Sequence, residues 1–268
     1  MLIDFNAPIY DESGYGEALA ETAKNLGLTH LCISGGEARY GRAANSQVRH
    51  ISRQYPELFI PFARMDLDRD GPETVERFAR AGFQGLCTWA PRRPYDDESY
   101  FPSYEAAQAL RLPVQFHTGF LPHTPLDRAR GVRCENMRPV YLDTIARCFP
   151  ELTIVGVGLG GPWRREALEA MRNHQRVFFD LSGDVLNWIE SDPLAALLGA
   201  NRSGVWEKAP SKGLWNQIIF GSGVRHEEIA SVERDYQRMF RSLAVDRQQI
   251  NDVLGATAAR LLNVSGSS

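Results

Sequence analysis

The sequence predicts an α/β protein, a closed (β/α)8 barrel, on three observations. Eight short apolar runs recur along the 268 residues, longer amphipathic segments separate them, and no linker or repeat interrupts the alternation. Barrels of this kind fill about 250 residues as one unit. Residues 1–264 therefore read as a single domain, and only the Ser-Gly-Ser-Ser at 265–268 reads as a disordered tail. An open doubly wound sheet is the competing reading of the same alternation.

The apolar runs are Leu2–Phe5, His30–Ser34, Phe59–Arg64, Gln84–Thr88, Pro113–His117, Thr153–Val157, Val177–Leu181 and Gln217–Phe220. Each is β-branched or aromatic and nearly continuous in apolar character, as strands covered on both faces are. Tyr15–Leu26 places Leu19, Ala23 and Leu26 at helical spacing. Ser46–Tyr55, Glu73–Ala81, Tyr104–Leu110, Pro139–Cys148, Arg165–Arg172 and Glu227–Ser242 fill most other intervals, and Gln248–Leu262 makes a last helix. Parallel strands need such crossovers of about a dozen residues or more. Several strand-to-helix connections are long, among them Ala7–Gly14, Gly35–Asn45, Trp89–Pro102 and Thr118–Asn136. In a barrel those loops line the C-terminal face, where the chemistry sits.

Composition narrows the function. Apolar residues make up 43%, charged residues 24%, and the net charge is −3. Such a chain builds a large core and carries no strong field toward nucleic acid or an anionic membrane. No run approaches the roughly 18 apolar residues of a membrane helix, and the opening MLIDFNAPIYDES lacks a signal peptide's basic and apolar regions. The four cysteines (Cys32, Cys87, Cys134, Cys148) are scattered without a C-x-x-C pair and read as reduced, mostly buried thiols. A cytoplasmic protein with no nucleic-acid or membrane partner is expected.

Local patterns then converge. Ile3-Asp4-Phe5-Asn6 opens the chain, Phe101–Tyr104 precedes the run from Leu112 to Gly119, and Phe149-Pro150-Glu151-Leu152 precedes Leu159-Gly160-Gly161-Pro162-Trp163. Phe179-Asp180-Leu181-Ser182-Gly183, Ile219-Phe220-Gly221-Ser222 and the segment Leu254–Leu262 follow in order. Together they resemble the amidohydrolase-2, or amidohydrolase-related, family, whose members include decarboxylases and lactonases of small carboxylic acids. The resemblance spans essentially the whole chain.

That resemblance implies a metal site, and here the sequence departs from it. The family carries a His-x-His pair on strand one; this chain has Asn6 and Pro8. The His expected at the end of strand six is Gly158, and the Asp expected after Gly-Ser on strand eight is Gly223. Only the strand-five histidine, His117, remains. A catalytic zinc needs about three protein ligands, so no metal or other cofactor is expected. Asp4, Asp180 and His226 are conceivable replacement ligands, though none sits at a family ligand position.

The remaining polar residues suggest a site without metal. His117 and His226 are the candidate proton carriers, imidazole titrating at about 6.5; for His117 the alternative is a relic held by a neighbour. Asn6 offers a donor and an acceptor. Arg64 and Arg225 suit bidentate binding of a carboxylate, although Arg64 could instead pair with Asp66. Trp89 offers a wall for a flat substrate, or packs beneath a loop. Trp163 and Arg165 follow a Gly-rich turn into a helix, a place suited to an anion, with a plain structural turn as the alternative. Ser182 ends strand seven without the context of a nucleophilic serine, and counts as a substrate-binding candidate. His30, His50 and His174 read as structural.

The expectation is a metal-independent hydrolase or lyase of a small carboxylate-bearing molecule, by lactone, activated-acyl or decarboxylation-type chemistry at the barrel mouth. Two other readings stand beside it: a non-catalytic barrel that binds a ligand or serves as a scaffold, and a hydrolase with a rebuilt metal site. The segment Gly183–Asn216, with Trp188, Leu194, Leu197, Leu198, Val205, Trp206 and Trp215, reads either as a lid or as a surface buried in a homo-oligomer.

Overall fold

A computed structural model describes residues 1–125, 127–183, 185–188, 198 and 213–264. Eight strands form one sheet in sequence order: β1 (Ile3–Pro8), β2 (His30–Ser34), β3 (Phe59–Arg64), β4 (Gly85–Thr88), β5 (Val114–His117), β6 (Ile154–Val157), β7 (Val177–Asp180) and β8 (Ile218–Ile219). Helices alternate with them: α1 (Tyr15–Leu26), α2 (Asn45–Gln54), α3 (Pro72–Arg80), α4 (Phe101–Ala109), a short α5 (Asp127–Arg130), α6 (Val140–Cys148), α7 (Arg164–Asn173), a short α8 (Val185–Trp188) and α9 (Ile229–Ser242). This is the (β/α)8 barrel class that the alternation predicts.

The chain divides into two compact units, residues 1–60 with 180–268, and residues 61–179. In the first, β1 and β2 pair in parallel, and the Phe5 N–H donates to the Phe220 carbonyl at 2.9 Å, joining the first strand to the end of the last. The β1–β2 register slips between Asp4 and Ala7, so that Phe5 and Asn6 stand opposite Cys32 alone. A bulge of this kind re-aims side chains and is frequent at barrel rims. Strict alternation along β1 therefore does not carry through Asn6. The core of this unit includes Phe220, Tyr236, Phe240 and Trp215 in a chain of edge-on and tilted ring contacts. The buried Tyr236 hydroxyl takes the Leu181 N–H at 3.1 Å and fastens α9 to the segment after β7.

In the second unit, β3 through β7 pair in parallel, each with the next. Strand glycines make room for large neighbours: a Cβ at Gly85 would lie 2.4 Å from Phe62, and one at Gly156 would lie 2.0 Å from Phe179. Tyr95, Tyr104, Phe116 and Phe149 build the aromatic layer between sheet and helices.

The last predicted helix is not continuous. A π-helical turn at Asp252–Ala256 separates α10 (Arg247–Asn251) from α11 (Thr257–Leu262). The turn presents the Val253 carbonyl to the Phe220 N–H at 2.8 Å, and Gly255 packs so closely on Met1 that a Cβ would meet its carbonyl oxygen at 2.7 Å. Both contacts are non-local, which is why helical periodicity alone missed the interruption. Most of the 183–216 segment, including Leu194, Leu197, Val205 and Trp206, and the 265–268 tail lie outside the described residues. Leu198 and Trp215 are buried.

Candidate active site

The site residues of the first unit gather around Asn6. Its backbone N–H donates to Asp4 Oδ1 at 3.0 Å, and its side-chain Nδ2 donates to Asp180 Oδ2 at 3.1 Å and Ser182 Oγ at 3.3 Å. Its carbonyl accepts from the Gly223 N–H at 2.8 Å and from Ser222 Oγ at 3.3 Å. Ser182 in turn gives both its N–H, at 3.0 Å, and its hydroxyl, at 2.6 Å, to Asp180 Oδ1. Asp4 and Asp180 are fully buried. Asp4 Oδ1 also accepts the Ser222 N–H at 2.9 Å, while its Oδ2 has no hydrogen-bond partner among the described residues. Burial raises the Asp4 pKa above its ordinary 3.8, opposed by the hydrogen bonds from Ser222 and Asn6.

The glycines of the Gly-Ser-Gly segment at 221–223 make this cluster possible. A Cβ on Gly221 would lie 2.7 Å from Asp180 Oδ2, and one on Gly223 would lie 2.8 Å from Ser182 Cβ and 3.3 Å from Asn6 Nδ2. Gly223 also adopts φ +68°, a left-handed conformation that side-chain-bearing residues rarely take.

Arg225 and His226 follow this segment and engage residues of α1 and of the loop before it. The Arg225 guanidinium makes two 2.7 Å bonds to the Glu12 carboxylate and lies over the Tyr10 ring at 4.6 Å. His226 Nδ1 lies 3.4 Å from Thr22 Oγ1 on α1, its ring meets Tyr15 edge-on at 5.1 Å, and its backbone N–H donates to Tyr15 Oη at 3.1 Å. Spacing after strand eight could not reveal these partners, because they come from the opposite end of the chain.

In the second unit, Arg64 and Trp89 are brought together at the ends of β3 and β4. The half-buried guanidinium lies 4.0 Å above the indole, and Nη2 donates to the Trp89 carbonyl at 3.1 Å. Asp66, the neighbour considered as its partner, faces Arg69 at 3.7 Å and takes the Asp68 N–H. His117 ends β5, half-buried, with Nε2 3.2 Å from the Phe120 carbonyl. A carbonyl only accepts, so Nε2 carries the proton and Nδ1 the lone pair in the neutral ring. Burial lowers the His117 pKa below 6.5, with the bond to Phe120 opposing the shift. Tyr95, which sequence reading passed over, donates its hydroxyl to the His117 carbonyl at 2.9 Å and holds the strand end from below.

Trp163 stacks on Phe120 with ring centroids 5.6 Å apart and planes inclined by 16°, and Arg138 lies over its ring at 5.6 Å. Arg165 is exposed on the first turn of α7. The turn before it is left-handed at Gly158, Leu159, Gly160 and Gly161 in succession. Gly119 packs against it, a Cβ there meeting the Gly161 nitrogen at 3.2 Å, and the Gly160 N–H is taken by Thr118 Oγ1 at 2.9 Å.

At the positions where the family resemblance implies metal ligands, the residues present offer few donor atoms. Asn6 offers only its neutral amide oxygen, Gly158 and Gly223 bring no side-chain donor, and both glycines are left-handed, at φ +83° and +68°. Among the described residues no three His, Cys, Asp or Glu side chains group in a way that could hold an ion.

Parallel strands in sequence order, with polar groups at their C-terminal ends, define a barrel of the enzyme-bearing class. The family model described as amidohydrolase matches residues 33–264, so the chain belongs to the amidohydrolase-2 family and to the enzymes of the amidohydrolase superfamily. No curated protein sequence matches it. Among solved structures it is similar to an uncharacterised TIM-barrel protein from Bordetella bronchiseptica, at 16% identity and TM-score 0.72, with 98% of each chain covered. It is also similar to a 2,6-dihydroxybenzoate decarboxylase from Rhizobium, at 14% identity and TM-score 0.66, with 98% of each chain covered. A probable 2-pyrone-4,6-dicarboxylic acid hydrolase from Acinetobacter baumannii, solved with citric acid bound, shares 13% identity at TM-score 0.64, over 98% of this chain and 99% of the other. At these identities the likeness speaks for the fold. No helix among the described residues is long and apolar enough to cross a membrane.

Proposed function

We propose that this protein is a metal-independent hydrolase or lyase of a small carboxylate-bearing molecule, acting at the C-terminal ends of its strands with His117 as general base. The observation that carries the reading is the state of His117. Its Nε2 is committed to the Phe120 carbonyl and burial favours the neutral ring, which leaves Nδ1 as a base near neutral pH. Arg64, stacked on Trp89, is the candidate for an anionic group of the substrate, because a guanidinium matches a carboxylate in two-pronged fashion. Trp163 with Phe120 supplies an aromatic surface within the same unit. Arg225 and His226, engaged with Glu12, Thr22 and Tyr15, shape the loop after β8 in this reading and take no part in proton transfer.

Without a Lewis acid, several kcal/mol of charge stabilisation must come from oriented donors and cations. Lactones and activated acyl groups ask least of such a site. The hydrolase named for a pyrone dicarboxylate and the decarboxylases named for hydroxybenzoates among the structural neighbours support a small carboxylic acid as substrate. A panel of pyrone and lactone carboxylates and of hydroxybenzoates, offered to wild type and His117→Ala, tests the proposal. Turnover in the wild type and its loss in the variant are expected; turnover unchanged in the variant removes His117 from the chemistry.

A further inference from the structure

Asn6 is held more firmly than a strand residue needs to be. Its N–H, its carbonyl and its Nδ2 make five hydrogen bonds, to Asp4, Gly223, Ser222, Asp180 and Ser182. It stands in the β1 bulge, half-buried, beside two carboxylates that are fully buried. Both Nδ2 hydrogens have acceptors, and Oδ1 carries no hydrogen bond among the described residues. The amide has only this orientation open to it: turned over, its oxygen would face the Asp180 carboxylate.

We infer that Asp180, with Ser182, is a positioning residue that fixes the Asn6 amide with Oδ1 as its one uncommitted polar atom, so that this strand end receives a hydrogen-bond donor of a bound acid. A hydroxyl or a protonated amine meets an acceptor there. A ligand carboxylate meets the amide oxygen with the Asp180 charge behind it, and both repel it. Among small acids, those that carry a hydroxyl or amine as well as the carboxylate suit this strand end. Asp180 reaches the Asn6 amide directly through Oδ2 and, through Oδ1, by way of Ser182.

The inference rests on the proposed function only in taking a small acid as the ligand, and one calorimetric experiment separates the two. The intact protein is titrated with citrate and its hydroxyl-free counterpart tricarballylate, and with 2,6-dihydroxybenzoate and benzoate. Wild type is expected to bind the hydroxylated member of at least one pair roughly tenfold tighter, the effect of one well-placed hydrogen bond. Asn6→Leu and Asp180→Asn are expected to bring that ratio close to one. A purely structural role would weaken both members alike and leave the ratio intact. Ser182→Ala, a small change in a buried hydroxyl, loosens the same amide and is expected to lower the ratio even if the other two variants fail to fold. Equal affinities in the wild type, or a ratio that survives in the variants, overturns the inference and leaves acid binding standing. Failure to bind any of the four acids overturns both.

Discussion

The Asn6 amide donates to the Asp180 carboxylate across 3.1 Å and thereby ties β1 to a residue 174 positions later. Gly223 closes the arrangement from the third side: a Cβ there would lie 2.8 Å from Ser182 Cβ and 3.3 Å from Asn6 Nδ2. Gly223→Ala is therefore expected to cost about 1–3 kcal/mol, from a left-handed backbone and a contact that neither neighbour can yield. Chemical denaturation measures it. Gly14→Ala is the control, being left-handed at φ +76° with nothing within 4 Å of its Cβ, and is expected to lose less.

Asp4 gives a prediction about pH. Removing its acceptor in Asp4→Ala leaves the Asn6 and Ser222 N–H groups unpaired, at a cost of about 1–3 kcal/mol. Asp4→Asn keeps an acceptor and stays neutral. The folded pKa of Asp4 lies above its unfolded value, so its contribution is complete below the unfolded value and fades as pH rises through the folded one. Denaturation midpoints across that range are expected to shift in favour of Asp4→Asn as pH rises. A constant difference between variant and wild type contradicts the assignment.

His117 behaves in the opposite sense. Its folded pKa lies below about 6.5, so the stability that its neutral form confers is present above that value and is lost as pH falls through the folded one. Nitrogen-resolved NMR of the imidazole is expected to show the Nε2–H tautomer and a titration below the unfolded value. Turnover is expected to rise with pH through the same titration and then level off.

Tyr236→Phe tests the hydrogen bond that fastens α9 to the segment after β7. The hydroxyl is fully buried and accepts the Leu181 N–H, just before Ser182. Its loss is expected to destabilise the protein by about 1–3 kcal/mol, and hydrogen exchange is expected to quicken at Leu181 before it does in β7.

The repeating elements were legible in the sequence because strands covered on both faces and amphipathic helices leave local periodicities. His30–Ser34, Phe59–Arg64 and Tyr15–Leu26 have the bounds that their residues imply. The site was legible only as far as strand ends can be counted. The β1 bulge at Asn6, the turn of Arg225 toward Glu12 and the π-helical break at Asp252 each depend on a partner far away in the chain. The absence of a side chain at Gly223 reads in sequence as a missing aspartate; in the structure it is also the space that Ser182 and Asn6 need.

The most direct test of the central claim is turnover after metal removal. The protein is dialysed against a strong chelator, its metal content is measured by elemental analysis, and the pyrone, lactone and hydroxybenzoate acids are offered to wild type and His117→Ala. The account predicts that turnover persists in metal-stripped wild type and disappears in the variant. Activity that vanishes on chelation and returns with added zinc or manganese would contradict it.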